Sequence, residues 1–474
     1  MRLYAKYLSS IALLVIGILS LITSIYTELT IAITLLVLFM VIDKLGKGIV
    51  LRESTAMLYV LTCLFMPMIG YMYYSASNPL ARLWYKYMTV PETAYFSFAL
   101  PAVAFFCLTL TWPLNIADSD DEGFALKDII ERIRQVLSSK KNEGLLVMFV
   151  GVIAGRLANI LPGGLQFFAN LFFFSSFAGL LYIYFDRNVK NKKWLMGGFL
   201  AFIAYNALAS GMFTIVAYMG ITIYSFFLIA SSPSLFKKTI LLFVGIFFII
   251  VLQNTKLAFR QFTWKQSYGG NKITLFGSLF AENLQKGNLF ENRAFFTIYS
   301  RMNQGYNVAL VMRRIPKFQK HDNGVNIVKA LASSVVPRFL WPDKPEAGGK
   351  FNMKYYTNIT LRGWSTNIGP LGEAYGAFGI TGGIAYMFVL GAFIRWAYRK
   401  VFIYSRVSPL LICWIPVLFY QVTYSGETDT LQIMNSLIKS AFFIWILHKF
   451  LPAWFGKDNS GQNVPEMSAR SSYS

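Results

Sequence analysis

Arginines, tryptophans and a few carboxylates crowd one stretch of this chain, and that mixture defines the chemistry to consider. Residues 253–370 hold 17 Lys/Arg and 5 Asp/Glu, a net +12 within a whole-chain formal charge of +22. Arg260, Arg293, Arg301, the pair Arg313–Arg314, Arg338 and Arg362 all lie there. Three of them stand shortly before Trp264, Trp341 and Trp364. A guanidinium offers a planar two-pronged donor that fits phosphate oxygens and does not lose its charge. Aromatic faces beside it suit sugar rings. Anionic lipid head groups, a lipid pyrophosphate or an acidic sugar are the partners this surface fits; nucleic acid is not expected. Asp322, Asp343, Glu346 and Glu373 belong to the stretch or its exit, and Glu427 and Asp429 follow later as Glu-Thr-Asp. Any of them could orient or deprotonate an attacking hydroxyl. Arg156 stands apart, in Gly155-Arg156-Leu157-Ala158-Asn159 near the end of an apolar run. A charge inside a span is costly unless paired or wetted, which makes it a candidate for substrate binding.

The elements that position these residues are membrane helices. Of 474 residues, 55% are hydrophobic and only 14% charged, with a mean hydropathy of +0.49. A soluble chain carries about a quarter charged residues. Composition thus excludes a soluble globular enzyme, a disordered scaffold and a disulfide-rich secreted module. Cys63, Cys107 and Cys413 each sit in an apolar block, and His321 and His448 are the only histidines. Neither a disulfide framework nor a Cys/His metal site is expected, and no cofactor motif stands out. Asp118-Ser119-Asp120 matches the metal-holding string of nucleotide-sugar transferases, but helix capping explains it better.

Apolar blocks recur at 8–26, 29–42, 56–74, 94–112, 144–161, 165–184, 195–209, 212–230, 239–252, 371–394, 409–421 and 431–450. These predict an all-α polytopic membrane protein of about 12 transmembrane helices. With the N-terminus in the cytoplasm, the inner segments hold 20 Lys/Arg and the short outer loops hold 2. That asymmetry puts both termini inside. The order is a bundle over 1–252, a large, mostly helical external basic loop over 253–370, further spans over 371–450, and a cytoplasmic tail over 451–474. Residues 124–141 show Leu126, Ile129, Ile130, Ile133 and Leu137 at helical spacing among charges. A helix on the inner membrane surface is expected there, with Ser119 and Glu122 as its capping box. Residues 294–312 are apolar but carry Arg301, Asn303, Gln304 and Asn307, so an external or re-entrant helix is expected.

Two strings stand out in the large loop. The first is Val336-Pro337-Arg338-Phe339-Leu340-Trp341-Pro342-Asp343-Lys344-Pro345. The second runs from Asn367-Ile368-Gly369-Pro370 through Gly372-Glu373-Ala374-Tyr375-Gly376 to Phe378-Gly379, into a membrane helix. Together they resemble the bacterial oligosaccharide repeat-unit polymerases of the Wzy type, also called O-antigen polymerase-like. The resemblance covers about 336–380 as motif and the rest as architecture.

The resemblance implies a glycosyltransferase of the cytoplasmic membrane. Such an enzyme moves a growing glycan from undecaprenyl pyrophosphate to the end sugar of a new lipid-linked unit on the outer face. Its partners would be that lipid-linked oligosaccharide, membrane lipids, a chain-length regulator and a flippase. Arg338, Glu373 and Asp343 are the expected catalytic residues. Arg156, Arg260, Arg293, Arg301, Arg313, Arg314, Lys344, Arg362, Trp341 and Tyr375 are the expected substrate-binding ones. Pyrophosphate leaves readily, so fixed cations and a positioned hydroxyl would suffice. A glycan ligase using the same donor, or a flippase or transporter, are the rival readings.

Overall fold

The computed structural model describes residues 2–114, 122–140, 142–210, 219–229, 233–265, 268–285, 292–336, 340–346, 348–362 and 365–456. Among them every regular element is helical. In chain order the longer helices are α1 (Arg2–Ile22), α2 (Tyr26–Lys44), α3 (Leu51–Met72), α4 (Glu92–Thr111), α5 (Glu122–Ser139), α6 (Glu143–Leu157), α7 (Gly163–Phe185) and α8 (Lys192–Ser210). There follow α9 (Gly220–Ile229), α10 (Leu235–Arg260), α11 (Lys272–Gln285), α12 (Asn292–Met302), α13 (Gly305–Arg314), α14 (Val325–Val335), α15 (Gly369–Ser405) and α16 (Thr430–Phe450). Seven described segments are long and apolar enough to cross a membrane: α2, α3, α4, most of α7, α15, Pro409–Glu427 and α16. Shorter apolar helices occupy Tyr7–Ile22, Gly220–Ile229 and Val325–Val335.

The chain divides into two compact units. One gathers the described residues of 1–122, 198–398 and 419–438. Its core is aromatic: Tyr59, Tyr95, Phe96, Phe98 and Phe106 are fully buried. The Tyr95 hydroxyl donates to the Cys63 carbonyl at 2.6 Å, tying α4 to α3. At the far end of α4, the Arg52 Nη1 donates to the carbonyls of Leu110 and Trp112 at 3.2 and 2.9 Å. The Arg395 Nε reaches the Trp112 carbonyl at 3.0 Å. Helix C-terminal carbonyls carry partial negative charge, so these arginines cap the helix.

The other unit holds 123–197, 399–418 and the described residues from Lys439 on. Its α6 and α7 meet along small residues. A Cβ at Gly151 would lie 2.6 Å from the Phe172 carbonyl, and one at Gly179 would lie 2.5 Å from the Met148 nitrogen. Backbones packed this closely are a habit of membrane helices. Helix α5 forms where its period predicts. Leu126, Ile129, Ile130, Ile133 and Leu137 are all buried within the unit. The stripe is therefore covered by protein instead of lying bare for lipid. Ser119 of the expected capping box, and the Asp-Ser-Asp string, fall outside the described residues.

Helix α15 matters most for the site. Its 37 residues would make a rod of about 55 Å if straight, far more than the roughly 30 Å a hydrocarbon core needs. It is not straight. Gly379 takes φ 69° and ψ −155°, a combination open to glycine alone, and breaks the helix after Phe378. The half-helix before the break carries Glu373.

Candidate functional site

The five residues Gly426-Glu427-Thr428-Asp429-Thr430 lead from the irregular segment Pro409–Glu427 into α16. Two buried carboxylates converge on this strap. Asp429 is 1% exposed and Glu373 4%. The Asp429 Oδ1 accepts the Gln432 N–H at 2.6 Å, three residues ahead, which caps α16. Its Oδ2 accepts the Asn367 side-chain amide at 2.8 Å and the Gly348 N–H at 3.2 Å. The Glu373 Oε2 accepts both the N–H and the hydroxyl of Thr430, at 2.8 and 2.5 Å. Its Oε1 accepts the Asn352 amide at 2.8 Å.

Donor logic then fixes the next link. The Thr430 proton goes to Glu373, so its oxygen accepts the Tyr386 hydroxyl at 2.6 Å. A helix N-terminus favours negative charge, which offsets part of the cost of burying two acids. Burial still lifts the Asp429 carboxyl above its usual range, against the lowering effect of its donors from Asn367, Gln432 and Gly348.

Asn367 ties a third segment to the strap. Its carbonyl accepts from Gln304 Nε2 at 2.5 Å and from Asn307 Nδ2 at 2.9 Å. Gly369 sits at φ 74°, where a Cβ would stand 2.6 Å from the Gly426 carbonyl. Only glycine lets the two chains pass there.

On the strap's open side lies a charged cluster. Arg301 Nη2 pairs with Glu427 Oε2 at 2.9 Å, the side chains being 54% and 19% exposed. Arg260 is half-buried nearby; burial, and then the Arg301 charge, push its guanidinium below the ordinary range. Two guanidiniums held together on α10 and α12 favour an anion between them. Glu427 and Asp429 are two residues apart, so at most about 7 Å of chain separates the cluster from the buried acids.

The expected site residues scatter more widely than their sequence neighbourhood suggests. Arg338 lies outside the described residues, as does the Arg293 side chain. Arg313, Arg362 and Asp343 are exposed, and Trp341 is half-buried. Arg314 Nε donates to Gln319 at 3.1 Å. Lys344 is a staple: its ammonium donates to the Ser333 and Val336 carbonyls at 2.8 and 2.7 Å. Tyr375 is 8% exposed and packs edge-on against Phe98, so its ring faces protein instead of a sugar. Arg156 is exposed near the end of α6, in the second unit. Glu373 is placed at the site but enclosed, with its oxygens occupied by protein donors.

His321 is half-buried and bonded to the backbone. Its Nδ1 stands 3.0 and 3.3 Å from the Tyr375 and Gly376 carbonyls. Carbonyls only accept, so Nδ1 carries the proton. Next to it, Asp322 accepts from the Gly324 N–H, the Asn326 amide and the Tyr356 hydroxyl. The apolar stretch 294–312 is two helices, α12 and α13, parted at Asn303–Gln304, with Val308 to Val311 buried. Among the described residues no group of three or more His, Cys, Asp or Glu side chains could hold a metal ion.

The family described as "Domain of unknown function (DUF8712)" matches residues 125–453, more than half of the chain, and the chain belongs to that family. No curated protein and no solved structure matches it.

Proposed function

We propose that this chain, a member of a family of unknown function, is a repeat-unit polymerase of the bacterial cytoplasmic membrane. It joins undecaprenyl-pyrophosphate-linked oligosaccharides on the outer face to build a surface polysaccharide. One observation carries this reading. Gly348 and Asn352, just past the first string, and Asn367 and Glu373, in the second, meet on the strap at 426–430. Arg301 pairs with Glu427 of that strap, and Arg260 is near enough for its charge to feel that of Arg301. The second string and the chain just past the first thus meet at one place, beside cations suited to pyrophosphate.

In this reading the chain has about twelve spans, with both termini in the cytoplasm and 253–370 outside. Arg260 and Arg301, with Arg338 and the other loop arginines, neutralise the pyrophosphate. The acceptor hydroxyl oxygen bonds to the anomeric carbon. The bond from that carbon to the pyrophosphate oxygen breaks, and its electron pair leaves with undecaprenyl pyrophosphate. The hydroxyl proton passes to a carboxylate. Glu427 is the acid with open surface next to the arginines, so it takes that role. Glu373 and Asp429 hold the strap and are positioning residues.

A strain lacking the protein tests this. Loss of the long-chain glycan ladder with survival of a single-unit band is expected. Loss of both bands favours a ligase or a flippase. The flippase reading draws on the broken helix at Gly379 with a buried acid beside it, a pattern transporters also use.

A further inference from the structure

Helix α14 is built inside out. The residues on its covered side are Ile327, Ala330, Ser333 and Ser334, all at most 7% exposed. The two serine hydroxyls there bond back to carbonyls of their own helix, at 2.9 and 2.6 Å. The open side is apolar as well: Val325 52%, Val328 65%, Leu331 40% and Val335 66% exposed. At about 100° per residue these fall on one arc, with Lys329 at its edge. A helix standing in water presents the reverse, polar out and apolar in. An outward apolar stripe over an inner side where small and hydroxyl groups stand beside Ile327 is an arrangement that suits a helix in lipid.

Its anchorage points the same way. The Asn323 N–H donates to the Ala377 carbonyl at 3.0 Å. Gly324, the residue before α14, lies so close to Phe378 that a Cβ would stand 2.5 Å from the ring. Phe378 and Ile380 are themselves 38% and 45% exposed on α15, one of the membrane-length helices. The open stripe of α14 thus starts next to exposed apolar groups of a helix of membrane-spanning length. Eleven residues make about 16 Å, roughly half of a hydrocarbon core.

We propose that Val325–Val335 is embedded in one leaflet of the membrane, with Val325, Val328 and Val335 against acyl chains and Lys329 reaching the head groups. The segment is then a dip of the large loop back into lipid. Lys344, near the end of the first string, fastens that string to the end of this helix. Under the polymerase reading, that string starts at the depth where a lipid-linked pyrophosphate lies. The embedding itself does not depend on that reading.

Spin labels on the full chain in lipid nanodiscs test it without any activity assay. Labels go on Val328→Cys, Val335→Cys, Ile380→Cys and Lys350→Cys, one at a time. Cys63, Cys107 and Cys413 are buried, which favours labelling at the introduced site. Molecular oxygen gathers in lipid and a nickel chelate stays in water. At 328 and 335 the oxygen-to-nickel collision ratio is expected to match that at 380 and to exceed that at 350 several-fold. A ratio like that at 350 would overturn the embedding. Exclusion of both reagents would overturn it too, since it would mean that protein covers the stripe.

Discussion

Glu373 is where a structural strut and a catalytic base can be told apart. Its carboxylate accepts three bonds, from the Thr430 N–H, the Thr430 hydroxyl and the Asn352 amide. Glu373→Ala strands all three donors in a site 4% exposed. Each buried donor left unmade costs about 1–3 kcal/mol, so the sum after partial relaxation is roughly 3–5 kcal/mol. Glu373→Gln is different. Its carbonyl oxygen can face Thr430 and take both bonds there. Its NH2 then meets Asn352, whose amide can turn to present its oxygen. All partners stay satisfied at the loss of one charge, a cost of about 1 kcal/mol. The thermal midpoint in detergent should therefore fall sharply for Ala and little for Gln. Glycan ladders at matched membrane levels complete the test. Near-normal polymer is expected from Gln if Glu373 only holds the strap. A Gln variant that keeps its midpoint yet makes no polymer would refute the strut and make the carboxylate a reacting group. Equal destabilisation by Gln and Ala would refute the bonding pattern.

Four further outcomes are expected. Pro337, Pro342 and Pro345 restrict the backbone around Arg338, and a clamp on pyrophosphate needs a fork that lysine lacks. Arg338→Lys should then abolish the ladder nearly as fully as Arg338→Ala, and a near-normal ladder would leave Arg338 a general charge. An impermeant thiol reagent on intact cells should label Lys320→Cys and spare Lys192→Cys; the reverse pattern would invert the orientation. Gly379→Ala should lower the thermal midpoint, since φ 69° with ψ −155° costs a residue with a Cβ about 1–3 kcal/mol; an unchanged midpoint would argue against the break. Burial raises Asp429, so the folded chain holds a proton that the unfolded one releases. That contribution is full below about pH 4 and is lost as pH rises through the raised value. Asp429→Asn should flatten stability against pH over that window, and an unaltered slope would mean Asp429 does not titrate there.

The all-helical class, with helices long and apolar enough to cross a membrane, was legible because length and hydropathy are local properties of the chain. So was α5, whose five apolar residues at helical spacing are the ones buried. Partnering was harder to read. Lys344 and Tyr375 have the right chemistry for a substrate, but three-dimensional packing turns one into a staple and the other into core. Spacing along the chain cannot say which donors a lysine will find. The Glu427-Thr428-Asp429 string is the opposite case. It lies about fifty residues past the motif strings, and only folding brings it against Asn367 and Gly348. Its signal was still present: two acids in a short stretch between apolar blocks, which the charge asymmetry reads as an outer loop.

The broken helix shows how such a signal becomes a site. Glycines at 369 and 379 bracket Glu373, and each sits at positive φ. The first lets the chain cross under Gly426, and the second ends the half-helix beside His321. Together they bound a short helical stretch, and its acid meets the strap at Thr430. The two glycines, which carry no chemistry, therefore decide where the chemistry can be.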